Sequence, residues 1–131
     1  MVSEITHVQD RRRVLLVEDE MLVAMLAADN LAELGYDVAE ASTARAAMDC
    51  VTSSGVGLAF AVVDLGLPDK PGEALIAEMR SCQPDLPIIV ASGYGEEFLR
   101  RRIAVKKDIA FLGKPYDLAG LKVAIAALSR R

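Results

Sequence analysis

Five side chains in this 131-residue sequence could do chemistry together: Glu18, Asp19, Asp64, Ser92 and Lys114. Three carboxylates gathered in one place repel each other, and an isolated buried charge is expensive. A divalent cation among them would make the arrangement tolerable. Oxygen donors without His or Cys favour Mg2+, which keeps waters and prefers one or two carboxylates plus a phosphate. No softer donor set competes, because the single His7 lies in a polar lead and Cys50 and Cys82 lack any C-x-x-C spacing. A cation, a hydroxyl and an ammonium beside a carboxylate would stabilise a phosphoryl group carried on that carboxylate. Asp64 is the candidate carrier. On its own stretch, AFAVVDLGLP, an aspartate that merely initiates a turn is an equal reading.

These residues are far apart in sequence, so the elements must bring them together. Each stands where a short apolar run ends. Runs over 13–17, 59–64, 87–91 and 109–113 read as strands, and 36–41 alternates like a shorter strand at an edge. Strands buried on both faces belong to a parallel sheet covered by helices. Between them lie helical patterns at 20–34, where Leu22, Met25, Leu26, Leu31 and Leu34 recur at helical spacing, and at 43–53, capped by Ser42 or Thr43. Further helices follow at 73–81 with Leu75, Ile76 and Met79 inward, within 96–107, and from a cap at Asp117 to about 131. Gly35 stops the first. Five strands alternating with five helices predict an α/β, flavodoxin-like doubly wound sheet of order 2-1-3-4-5. The C-terminal ends of such strands line one pocket, which is where the five chemical residues would meet. Residues 1–12 read as a polar lead and 13–131 as one domain.

Composition narrows the classes. No apolar stretch approaches a membrane span, and the opening MVSEITHVQD has no signal-peptide pattern, so a cytoplasmic protein without membrane contact is expected. The cysteines read as reduced packing residues, buried or half-buried. Net charge is −4 but unevenly spread: residues 1–92 carry 6 basic and 15 acidic groups, residues 93–131 carry 9 and 4. The basic last third includes Arg100, Arg101, Arg102, Lys106, Lys107 and Lys122. It reads as a solvated helix face or as a face for an acidic partner; without aromatic interleaving, nucleic acid is not expected.

The segments VLLVEDE, VVDLGLPDKPG, VASGY and FLGKP, in this order and each at an expected strand end, resemble the receiver domain of bacterial response regulators. The resemblance covers about residues 13–130. It implies that Asp64 is the phosphoacceptor and that Asp19 binds Mg2+ directly, with Glu18 acting through a metal-bound water where Asp is commoner. It further implies metal ligation by the Gly66 carbonyl, a Ser92 hydroxyl and a Lys114 ammonium on the phosphoryl oxygens, and a cis peptide before Pro115. Phe111 would be a rotamer switch coupled to Ser92; its strand position alone suggests fixed core. Gly66 and Tyr94 occupy positions that influence phosphoryl lifetime, one leaving room for water and the other able to cover it. The run PIIVASGY is loosely similar to the P-x-x-F-A-T-G-Y signature of some stand-alone receivers, from which Val90 and Ser92 depart.

The resemblance implies a phosphorelay module rather than an enzyme acting on an external substrate. Its phosphoryl group would come from a histidine kinase or histidine phosphotransfer protein. It would signal to a downstream protein, or dimerise, through the face made by the fourth helix, fifth strand and fifth helix. An excised receiver of a hybrid histidine kinase is an alternative with the same chemistry. A flavodoxin-like cofactor carrier would need a phosphate loop where Glu18-Asp19-Glu20 stands, and an aspartyl-phosphate phosphatase would need a second carboxylate at position 66, which is Gly.

Overall fold

A computed structural model describes residues 12–53, 57–103 and 107–128. The polar lead with His7, and Lys106 of the basic group, lie outside the described residues.

Apolar, β-branched runs form five strands: β1 (Arg13–Val17), β2 (Asp37–Ala41), β3 (Phe60–Asp64), β4 (Ile88–Ser92) and β5 (Ile109–Gly113). They pair in parallel in the order β2-β1-β3-β4-β5, as the alternation of elements predicts. Five helices connect them: α1 (Met21–Glu33), α2 (Ala44–Ser53), α3 (Gly72–Cys82), α4 (Glu96–Arg102) and α5 (Leu118–Leu128). Successive strand residues point to opposite faces, so each central strand feeds two cores. Leu15, Val17, Ala61, Val63, Ile88 and Val90 pack with α2, α3 and α4 on one side. Val14, Leu16, Phe60, Val62, Ile89 and Ala91 pack with α1 and α5 on the other. Among the described residues no helix is long and apolar enough to cross a membrane.

Helix α1 departs from the expected stripe. Ala27 and Leu31 are buried, whereas Met21, Leu22, Met25 and Leu26 are 76, 74, 54 and 66% exposed. At about 100° per residue, the nine positions from Leu22 to Leu31 turn the helix two and a half times, onto its opposite side. The apolar residues thus form two stripes rather than one, and the alanine-rich one is inside. Cys82 also differs from expectation, being exposed, while Cys50 is half-buried and both are free thiols.

The helix ends explain why the loops hold their shape. Gly35, at φ +100°, donates to the Ala32 carbonyl and Tyr36 to that of Leu31, the paired bonds of a Schellman stop. Thr43 Oγ1 accepts from Ala46 N at 3.1 Å, and Asp117 Oδ1 from Gly120 N at 2.9 Å, so both act as N-caps. A second carboxylate reaches α2 from far along the chain: Asp69 accepts from Ala44 N at 2.9 Å and Arg45 N at 3.1 Å. At the opposite end of the strands, Arg80 of α3 donates to the carbonyls of Leu86 (2.6 Å), Lys107 and Asp108 (3.1 Å), tying the starts of β4 and β5 together.

The two α2 amides hold the Asp69 carboxyl below its ordinary value. A carboxyl depressed in the folded state contributes stability above its unfolded value of about 4, and loses it as pH falls through the lower folded value. Thermal melts of Asp69→Ala against the parent should therefore show a lower midpoint at pH 6. The gap should narrow as pH falls below about 4, as the unfolded and then the folded carboxyl takes up its proton.

Candidate functional site

Parallel register delivers the strand ends to one edge. Val17 pairs with Val63 and Asp64 with Ala91, while Ser92 pairs with Gly113, so Glu18, Asp64, Ser92 and Lys114 emerge side by side. The backbone continues this alignment beyond the strands, with Glu18 N donating to Ala41 O, Leu65 N to Ala91 O and Lys114 N to Ser92 O. Glu18, Asp64 and Ser92 are the buried polar residues of the described core, at 4, 6 and 4% exposure.

Carboxylate oxygens of Glu18, Asp19 and Asp64 lie within 4.8 Å of one another. Lys114 Nζ provides the counter-charge, 3.1 Å from Glu18 Oε1, 3.3 Å from Asp64 Oδ1 and 3.6 Å from Glu20 Oε1. Burial holds the Glu18 carboxyl above the usual carboxylate range and the nearby Asp64 charge adds to this, against the Glu20 amide and the Lys114 ammonium. For Lys114, burial works to lower the value, but the hydrogen bond to Glu18 and the charges of Asp64 and Glu18 outweigh it and raise the ammonium above an ordinary lysine. Next to it, the half-buried Tyr116 phenol is pushed up to about 12 by burial and then by the Glu18 charge. Three acids against one shared ammonium, all with hard oxygen donors, fit a divalent cation of the Mg2+ kind.

The remaining expected residues are placed as follows. Ser92 Oγ accepts from Tyr94 N at 3.0 Å, which leaves its own hydrogen to donate. Gly66 lines the pocket, and a Cβ there would sit 3.8 Å from Asp64 Oδ2. Tyr94 lines the same pocket, is 65% exposed, and its ring leans on Phe98 at 5.0 Å between centroids. Phe111 is half-buried, with the Arg100 guanidinium 4.9 Å above its ring and Arg100 itself bonded to Glu96. The Lys114–Pro115 peptide is cis.

Among the described basic residues, several are paired with carboxylates of the chain itself. Arg102 pairs with Glu73 at 2.7 Å, and Lys107 with Asp85 at 3.4 Å. Lys122 borders a groove lined by Leu34, Tyr36 and Ile125. Sequence reasoning missed two positioning residues. Asp69 has been described; the other is Gly72, whose added Cβ would stand 2.5 Å from Leu65 Cα and 3.2 Å from the Asp64 carbonyl oxygen. Gly72 N also donates to Leu65 O at 3.2 Å. The start of α3 thus presses directly on the backbone that carries the acceptor. The Pro71-Gly72 pair looked like an ordinary helix start, and only the contact distinguishes it.

These features define a parallel α/β domain with an acidic pocket at its strand tips. A family profile, the response regulator receiver domain, matches residues 14–126, and the chain belongs to that family. It is a receiver module of two-component signalling. The chain is 32% identical over 124 residues to the sensor kinase CckA of Brucella abortus, covering 95% of this chain and 13% of the kinase. It is also 32% identical over 121 residues to the virulence transcriptional regulatory protein PhoP of Salmonella typhimurium, covering 91% of this chain and 52% of that protein. The chain therefore spans only part of the curated relatives it matches. A crystal structure of the receiver domain of the hybrid histidine kinase CckA superposes with a TM-score of 0.74 at 27% identity, over 88% of this chain and 97% of that one.

Two substitutions test the geometry. Gly72→Ala forces the acceptor loop to shift and should lower stability by about 2 kcal/mol, read by urea unfolding. Asp64→Asn relieves the crowding of Glu18 and Asp19. In metal-free buffer it should raise the melting midpoint by a few degrees, for a gain on the order of 1 kcal/mol.

Proposed function

We propose that Asp64 accepts a phosphoryl group from a phosphohistidine on a histidine kinase or phosphotransfer protein. A carboxylate oxygen of Asp64 forms the new O–P bond as the donor's N–P bond breaks, and the imidazole leaves. The observation that carries this reading is the Lys114 ammonium, 3.3 Å from Asp64 and placed to pair with an arriving phosphoryl oxygen. The Ser92 hydroxyl, held by the Tyr94 amide, donates to a second oxygen. Glu18, Asp19, Asp64 and the Gly66 carbonyl are the proposed ligands of Mg2+, which when bound neutralises charge on the phosphoryl oxygens. Once the phosphoryl group claims Ser92 and Lys114, their strands β4 and β5 feel it. Phe111, on β5 under Arg100, is the proposed reporter of that change to the surface.

The chain's own chemistry ends at taking on and losing this group. A phosphatase would need a second carboxylate beside the acceptor, and position 66 offers only a hydrogen. A cofactor carrier would need a phosphate loop after β1, where Glu18, Asp19 and Glu20 repel anions. The likeness to a kinase receiver supports a second reading, in which the donor histidine lies on the same polypeptide. The acceptor chemistry is the same in both, and the coding sequence on either side of this segment distinguishes them.

Incubation with acetyl phosphate and Mg2+, followed by intact-mass analysis, should show one phosphoryl adduct on the wild type and none on Asp64→Asn. Chelation of the divalent cation should abolish it. No adduct on the wild type with Mg2+ bound would reject the phosphoacceptor reading.

A further inference from the structure

We infer that Arg102 positions the incoming phosphodonor at the mouth of the acceptor pocket, and that Glu73 regulates it by competing for the guanidinium. This rests on the phosphoacceptor role of Asp64. The pocket encloses about 550 Å³ and runs from the acidic cluster out to α4. Among its described lining residues, the carboxylates Asp19, Glu20, Asp64 and Glu73 face two cations, Lys114 and Arg102. Lys114 is committed at the floor, between Glu18 and Asp64. Arg102 stands at the rim, with Nη2 2.7 Å from Glu73 Oε2 and its guanidinium carbon 5.4 Å from the centre of the Phe98 ring.

A phosphodonor, whether an acyl phosphate or a phosphoimidazole, brings further negative charge to a pocket already rich in it. Coulomb repulsion from four carboxylates opposes its entry, and a cation at the mouth offsets this. Arginine suits the task, because its planar fork of five donors matches phosphoryl oxygens and stacks on an aromatic face. Phe98 and Glu73 hold that fork at the rim before the donor arrives, so little side-chain freedom is lost on binding. Glu73 is also the competitor, since the donor and its carboxylate seek the same guanidinium. Weakening the competitor and removing the cation should thus act in opposite directions, which a purely structural ion pair would not do.

The test is the second-order rate constant for phosphorylation of Asp64 by acetyl phosphate with saturating Mg2+, followed by intact mass. Arg102→Ala should be slower, by roughly twofold to fivefold for a half-exposed charge. Arg102→Lys should recover part of the loss, and Glu73→Gln should be faster than wild type. The gap between wild type and Arg102→Ala should narrow as ionic strength rises. Mg2+ affinity by calorimetry should be unchanged in Arg102→Ala, which separates donor handling from damage to the metal site. Equal rates for wild type and Arg102→Ala would overturn the inference. So would a slowing in both Arg102→Ala and Glu73→Gln, because that pattern marks a structural brace. A wild type that takes up no phosphoryl group would reject the acceptor reading and this inference with it, whereas normal wild-type uptake with unaffected variants would reject the inference alone.

Discussion

One ammonium shared by two buried carboxylates holds the functional edge of this domain together. Lys114 lies 96 residues from Glu18 and 50 from Asp64 in the chain, and contacts both. It directly follows β5, one of the two edge strands of the sheet. The charge balance of the centre is thus supplied from the periphery. That makes the backbone bond from Lys114 N to Ser92 O, at 2.8 Å, more than a routine extension of a strand pair. It fixes where the counter-charge sits. Carboxylates this close raise each other's proton affinity unless something positive intervenes. The protein's own ammonium does part of that work, and the oxygen-only donor set is what a divalent cation would complete.

The segment between the acceptor and α3 is held from two directions. Gly72 presses against Leu65 from one side, and Asp69 reaches across to the first turn of α2 on the other. A carboxylate at a helix N-terminus satisfies exposed amides and meets the positive end of the helix dipole. Seven residues of loop thus tie the strand that carries Asp64 to two helices on the same face of the sheet. On the far rim of the pocket, α4 contributes no acceptor chemistry. It brings Arg102, Phe98 and, over Phe111, Arg100. Glu18, Asp64 and Ser92 are buried, whereas Asp19 and, around the entrance, Tyr94, Phe98 and Arg102 are exposed.

Much of this was legible in the sequence, for physical reasons. Strand-buried runs such as Phe60–Asp64 and Ile88–Ser92 are apolar on both faces, and that pattern has few other meanings. The carboxylates, serine and lysine stand where such runs stop, so a parallel sheet brings them together regardless of loop detail. Sequence failed where a residue's role depends on a partner that periodicity cannot name. Asp69 looks like a turn residue until Ala44 and Arg45 are seen to donate to it. Gly72 looks like a helix start until Leu65 is found against it. Arg102 stands in a run of three arginines, and nothing in that run names its partner, Glu73, 29 residues away. In α1 the failure was of phase: Leu22 and Leu31 share a type and a helix, but not a side.

Arg80 gives the sheet a mechanical polarity. By gripping the carbonyls of Leu86, Lys107 and Asp108, it fastens β4 and β5 where they begin, at the end away from the pocket. The β4–β5 pair thus has two unlike ends, paired residue by residue between them: one tied across by a guanidinium to backbone carbonyls, the other carrying Ser92 and leading into Lys114.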